Sequence, residues 1–267
     1  MEASMDDRAG AKPFSECGVL IAGGTSGVGL ASAIGFAREG VRGMVLLGRD
    51  AERGAKAVAA VLAAVPDARI EFISADACDV ADITRAAEAA RAKLGSIDIL
   101  LNSTASNYAP DLLMRTPIED ISGIFDRLVL PPIYLTRVVL PWMREQKSGS
   151  IINMASDAAK TATPGETIAG AGMAAIVMFS RTLAMEAKRD GIRVNVLTPS
   201  LIAGTPTADL VTSGGFSAKL FEKAAAMAHL GVAVPEDLAD MVVFLGGPQS
   251  ARLTGQAISI NGGISAA

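Results

Sequence analysis

The chain is poor in the side chains that most often announce a chemistry. Among its 267 residues there is one histidine, His229, and two cysteines, Cys17 and Cys78. Two cysteines so far apart give no disulfide framework, and no His, Cys, Asp and Glu cluster has ligand spacing, so no metal is expected. Positive charge is not in excess: 24 Lys and Arg stand against 28 Asp and Glu, for a net charge of -4. Nothing therefore predicts binding to a nucleic-acid backbone. No apolar run reads as a bilayer-crossing segment, and no membrane partner is expected. The opening MEASMDDRAGAKPFSE is polar and acidic, without the basic end and apolar stretch of a secretory signal. The expectation is a cytoplasmic, soluble protein. Residues 1–16 are expected to form a flexible N-terminal segment ahead of one domain spanning 17–267.

Hydrophobic residues make up 50% of the chain, and the length suits one large α/β domain. From residue 18 onward, short β-branched runs alternate with longer Ala-rich amphipathic stretches, the pattern of a parallel sheet covered on both faces. The runs GVLIAG, GMVLLG, RIEFIS, IDILLN, SIINMA, IRVNVL and AISI predict the strands. Helices are expected from near Gly27, Ala51, Asp82, Ile118, Glu166 and Pro235. Right-handed crossovers between them predict a single doubly wound Rossmann domain with a seven-stranded parallel sheet. Residues 200–232 insert a loop and short helices before the last strand, which reads as a substrate lid.

Gly23-Gly24-Thr25-Ser26-Gly27-Val28-Gly29 follows the first strand and opens a helix. Glycines there let the backbone approach a pyrophosphate, and the helix N-terminus offers unpaired N–H groups. A tight strand-to-helix turn would need the same residues. Arg49 ends the second strand, where an NAD-preferring domain carries a carboxylate for the ribose hydroxyls. Its guanidinium would suit the 2′-phosphate of NADP, or would simply be solvated at the start of a helix.

These features, with Asp76 after the third strand, Asn102 after the fourth and the stretch GIRVNVLTPS, resemble the short-chain dehydrogenase/reductase family over about residues 17–263. Leu253-Thr254-Gly255-Gln256 and Asn261-Gly262-Gly263 complete the resemblance. It implies that Gly23, Ser26, Gly27, Val28, Gly29, Arg49, Asp76, Ala77 and Asn102 bind NAD(P), with NADP favoured, and that Asp76 and Ala77 contact adenine. Asn102-Ser103-Thr104-Ala105 keeps only the first residue of the family's Asn-Asn-Ala-Gly. Asn153 to Ala159, Gly165-Glu166 and Asp209 to Gly214 resemble hydroxyacyl-CoA dehydrogenases of the 2-hydroxycyclohexanecarboxyl-CoA and aromatic succinyl-CoA type, which implies an acyl-CoA substrate.

The family moves the substrate's hydroxyl proton with a tyrosine, whose ionisation a lysine favours, beside a serine that hydrogen-bonds the substrate oxygen. Ser156 stands at the serine position; a local cap is its alternative role. The gapless match of Met173-Ala174-Ala175 through Ser180-Arg181-Thr182-Leu183 puts Ala169 at the tyrosine and Met173 at the lysine. A methyl group transfers no proton, and a thioether carries no charge. Leu128 replaces the family's helix asparagine, and Pro131-Pro132 after it should bend that helix. Gly204 replaces a nicotinamide-binding threonine, with Thr205 beside it. Tyr108, Lys160 and His229 are the spare groups, each of which also reads as an ordinary surface or packing residue.

The resemblance implies that helices near 118–146 and 166–189 form subunit contacts. The favoured expectation is accordingly a noncatalytic subunit, inactive alone, in a homo- or hetero-oligomer with an active relative, one that could bind no cofactor at all. The alternative is an active NAD(P)-dependent oxidoreductase on a hydroxy or keto acyl-CoA, using other residues. A nucleotide-sensing module is the third reading.

Overall fold

The computed structural model describes residues 11–105 and 107–267. Its strands are β1 (Gly18–Ala22), β2 (Gly43–Gly48), β3 (Ile70–Ser74), β4 (Ile99–Asn102), β5 (Gly149–Met154), β6 (Ile192–Leu197) and β7 (Ala257–Ile258). They form a seven-stranded sheet in the order β3-β2-β1-β4-β5-β6-β7. Every pairing is parallel, with Ile21 of β1 opposite Leu46 on one side and Leu101 on the other. The order reverses direction between β1 and β4, and in such sheets the crevice beyond the strands' carboxyl ends at that point is where ligands bind. The last strand is shorter than AISI predicts. After Ile258, Ser259 turns its hydroxyl to the Lys160 ammonium and Thr198.

Helices α1 (Gly27–Arg38), α2 (Ala51–Ala64), α3 (Val80–Leu94), α4 (Ile121–Gln146), α5 (Thr167–Ala187), α6 (Pro206–Thr212), α7 (Gly215–Met227) and α8 (Pro235–Gly246) complete the domain. Two starts are set locally: Asp50 accepts from the Arg53 N–H, and Asp79 accepts from the Asp82 N–H. On one face of the sheet Phe36, Val242 and Leu245 pack on Val19, Ile21 and Ile99. On the other, Leu135, Val139 and Leu183 pack on Leu20, Leu100 and Ile151.

Two expectations need correction. The segment before residue 17 is anchored rather than flexible from Lys12 onward: Lys12 pairs with buried Asp98 at 2.6 Å, and Phe14 is buried edge-on against Phe36. Residues 1–10 of that segment lie outside the described residues. The Pro131-Pro132 pair, expected to bend its helix, is buried within α4, which runs from Ile121 to Gln146. The stretch Thr167–Asp190 is, by length and composition, apolar enough to cross a membrane. Its hydropathy comes from serving as a core helix, with Ile168, Ile176, Val177 and Leu183 buried.

The insertion expected at 200–232 carries α6 and α7. Its base is pinned where the Ala203 N–H donates to the Ala233 carbonyl at 2.8 Å.

Candidate functional site

The glycine turn lies between β1 and α1, at the reversal of strand order. Gly23 has φ 78°, and a Cβ there would fall 2.5 Å from the Ser103 carbonyl oxygen. A side chain at Gly29 would collide with the Gly23 carbonyl. The Gly23 and Gly24 N–H groups donate to Leu47, which holds the turn against β2. Ser26 occupies the N-cap of α1, yet its side chain makes no cap. Its hydroxyl instead accepts from the Arg53 guanidinium at 3.2 Å. The first turn of α1 is thereby left without a side-chain cap, the arrangement that accommodates an anionic group. The cradle fits a dinucleotide's pyrophosphate on this geometry.

Arg53 was not legible as a site residue by motif. Its signal is Asp50, whose cap places residue 53 in the first turn of α2 beside the glycine turn. Arg49 is exposed next to it, and its carbonyl accepts from Ser74 Oγ at 3.1 Å. Asp76 shapes the turn after β3: its N–H donates to Asp82 and its carboxylate accepts from the Cys78 N–H. Ala77 follows, half-buried. Asn102 is buried beneath this region, donating to Thr136 Oγ1 at 3.2 Å and to Asn153 Oδ1 at 2.8 Å.

At the end of β5, Ser156 Oγ accepts from the Ala158 N–H at 3.3 Å, so the capping role is realised. That bond uses a lone pair and leaves the hydroxyl proton for another acceptor. Ala169 is buried in the first turn of α5, and Met173 is half-buried one turn on. Leu128 packs with Val129 where α4 crosses α5 at Gly172.

Among the spare groups, Lys160 does not reach the site. Its ammonium donates to Ser259 at 2.6 Å, and burial pulls its pKa down. Thr205 is also committed, accepting from the Ala208 N–H and donating to the Ile202 carbonyl. Its methyl group packs by Gly27. His229 is exposed in the turn after α7. Tyr108 is half-buried, with its hydroxyl away from solvent.

Sequence reasoning named Glu166 as a helix start and as part of the acyl-CoA resemblance but not as an acid–base group; it stands at the N-terminal end of α5, three residues before Ala169. Its carboxyl is pushed up to about 7, first by burial and then by the charge of Asp157, against a hydrogen bond from Thr163. Asp157 follows Ser156 and is itself buried, accepting from Ser265 Oγ and Asn261 Nδ2. Phe216 of α7 lies directly on Gly165, where a Cβ would collide with its ring. The insertion thus covers the loop that carries Glu166. An acidic residue i, i+3 from position 169 was the available signal.

A doubly wound sheet with this glycine cradle at its switch point defines a dinucleotide-binding domain of the oxidoreductase kind. The family described as enoyl-(acyl carrier protein) reductase matches residues 22–265. The 3-oxoacyl-[acyl-carrier-protein] reductase FabG of Thermotoga maritima is 30% identical over 246 residues, covering 92% of this chain and 96% of that protein. Oxidoreductase asL5 of Sarocladium schorii is 30% identical over 250 residues, covering 92% and 94%. The crystal structure of levodione reductase superposes with a TM-score of 0.87 at 26% identity, covering 94% of this chain and 98% of that one. The chain belongs to the short-chain dehydrogenase/reductase family.

Proposed function

We propose that the chain is an NAD(P)-dependent oxidoreductase acting in the cytoplasm on the carbonyl or hydroxyl group of an acyl thioester, without the family's tyrosine and lysine. The observation that carries this reading is the uncapped first turn of α1, left open because Ser26 turns to Arg53. A bound nicotinamide dinucleotide would supply or accept the hydride. Gly23 to Gly29 would hold its pyrophosphate, Asp76 and Ala77 would border its adenine, and Arg49 with Arg53 favours NADP. The substrate class follows the Thermotoga relative, whose name gives 3-oxoacyl-[acyl-carrier-protein] as its substrate. Calorimetric titration with NADPH and NADH, followed by NADPH oxidation with a 3-oxoacyl thioester, tests the reading. Absence of binding by both nucleotides defeats it.

Ala169 and Met173 favour a second reading, a noncatalytic subunit assembled with an active relative. It predicts nucleotide binding or mere assembly, with no turnover by the chain alone.

A further inference from the structure

The first turn of α5 brings together side chains that the family's mechanism does not use. A Cβ at Gly170, one residue past the position of the missing phenol, would fall 2.9 Å from the Ala158 carbonyl oxygen, so this helix end sits directly on the turn that begins at Ser156. Glu166 stands at the N-cap position of the same helix end without a side-chain cap, and its own carbonyl accepts from the Gly170 N–H. Around its carboxyl stand Thr163 and Asp157, while Phe216 closes over the neighbouring Gly165. An alanine at 169 has neither the bulk nor the acidity of a phenol.

We propose that the Glu166 carboxyl exchanges the substrate's hydroxyl proton, taking over the work of the missing tyrosine while Ser156 donates a hydrogen bond to the substrate oxygen. This rests on the oxidoreductase reading above. In the reducing direction, hydride from the nicotinamide adds to the carbonyl carbon as the C=O π bond breaks. The oxygen takes the proton from Glu166, leaving a carboxylate that water reprotonates. In oxidation the same carboxylate receives the hydroxyl proton as the C–H pair leaves as hydride. The charged neighbours keep a substantial fraction of Glu166 protonated near neutral pH. Asp157 opposes ionisation of Glu166, and Lys160, which could have favoured it, is turned to Ser259 with Arg181 as a further cationic neighbour. A carboxyl that titrates close to the working pH is suited to both directions.

The test uses the full chain as wild type and as Glu166→Gln, with retained thermal unfolding and nucleotide binding confirming that the variant folds. The first readout is NMR titration of carboxyl-labelled glutamate. One resonance titrating near pH 7 in the wild type and missing from Glu166→Gln is the expected result. The second is NADPH oxidation with a 3-oxoacyl thioester, where kcat falls by about 100-fold or more in Glu166→Gln with KM little changed. Equal turnover by the two proteins overturns the proposal, and so does a Glu166 resonance in the ordinary carboxylate range. A wild type that binds NADPH without turnover overturns the proton-exchange role and leaves the dinucleotide site standing. A wild type that binds no dinucleotide overturns both.

Discussion

Asn102 Nδ2 donates to Asn153 Oδ1 at 2.8 Å, joining the ends of β4 and β5 inside the core. Asn153 passes the connection on, donating to Ser180 Oγ at 2.8 Å, and Ser180 donates to the Ile176 carbonyl. Thr136 receives the second Asn102 hydrogen. A polar chain thus ties α4, both strands and α5 together below the site. Asn102→Ala is expected to cost about 2–3 kcal/mol, because it removes two hydrogen bonds and leaves a buried acceptor on Asn153 without its donor. Urea unfolding measures this, and a loss under about 0.5 kcal/mol would show the chain to be dispensable.

Arg193 plays a comparable part at the other end of the sheet. Its buried guanidinium donates to the carbonyls of Leu245, Gly246 and Gly247, the last acceptors of α8, and to Ser250. Burial draws its pKa down to about 10, so it remains charged at neutral pH. Arg193→Met should destabilise the chain by about 3 kcal/mol, since no other donor replaces these bonds. Thermal unfolding of the variant checks the value.

Nucleotide choice should depend on two arginines. Arg53→Ala and Arg49→Ala are each expected to weaken NADPH binding by about 10-fold and to leave NADH binding nearly unchanged, as removal of a charge-assisted phosphate contact does. Calorimetry with both nucleotides gives the comparison. Equal losses for NADPH and NADH would place these side chains in fold stability instead.

The proposed loss of the family's dyad can be tested by rebuilding it. Ala169→Tyr combined with Met173→Lys restores a phenol one turn from an ammonium, and turnover of a 3-oxoacyl thioester is expected to rise at least about 10-fold. Each single substitution should give less. No gain from the pair, with nucleotide binding intact, would show that the register or the space at α5 is wrong.

Glu166 also makes a prediction about stability. Its ordinary value of 4.5 applies to the unfolded chain, whereas the folded chain holds the proton until about pH 7. Below pH 4.5 both states are protonated and its contribution is fully retained. Between 4.5 and 7 the unfolded state ionises first, so this stability is lost as pH rises. The fall in Tm from pH 5 to pH 8 should therefore be smaller in Glu166→Gln than in the wild type. Identical falls would mean that Glu166 has no perturbed ionisation.

The sheet was readable because each strand is a short apolar run bounded by turn residues, and because the glycine turn comes directly after the first one. What escaped were relations between distant positions. Lys12 finds Asp98 across 86 residues, which ties the end of an apparently flexible segment to the domain. Lys160 finds Ser259 across 99 residues, which removes it from the site. Glu166 reads in sequence only as a helix start and, with Gly165, as part of the acyl-CoA resemblance. Its character comes from Asp157 and from the burial of its loop under α7, and neither follows from local pattern. The apolar stretch of α5 passes by length and composition as a membrane-crossing helix, and its buried Ile168, Ile176, Val177 and Leu183 show it packed in the core instead.

The most direct test of the central claim is single-turnover oxidation of NADPH by the purified chain in the presence of a 3-oxoacyl thioester. The account predicts substrate-dependent loss of the reduced nicotinamide in the wild type and its near abolition in Glu166→Gln. Binding of NADPH with no substrate-dependent oxidation by the wild type would contradict it.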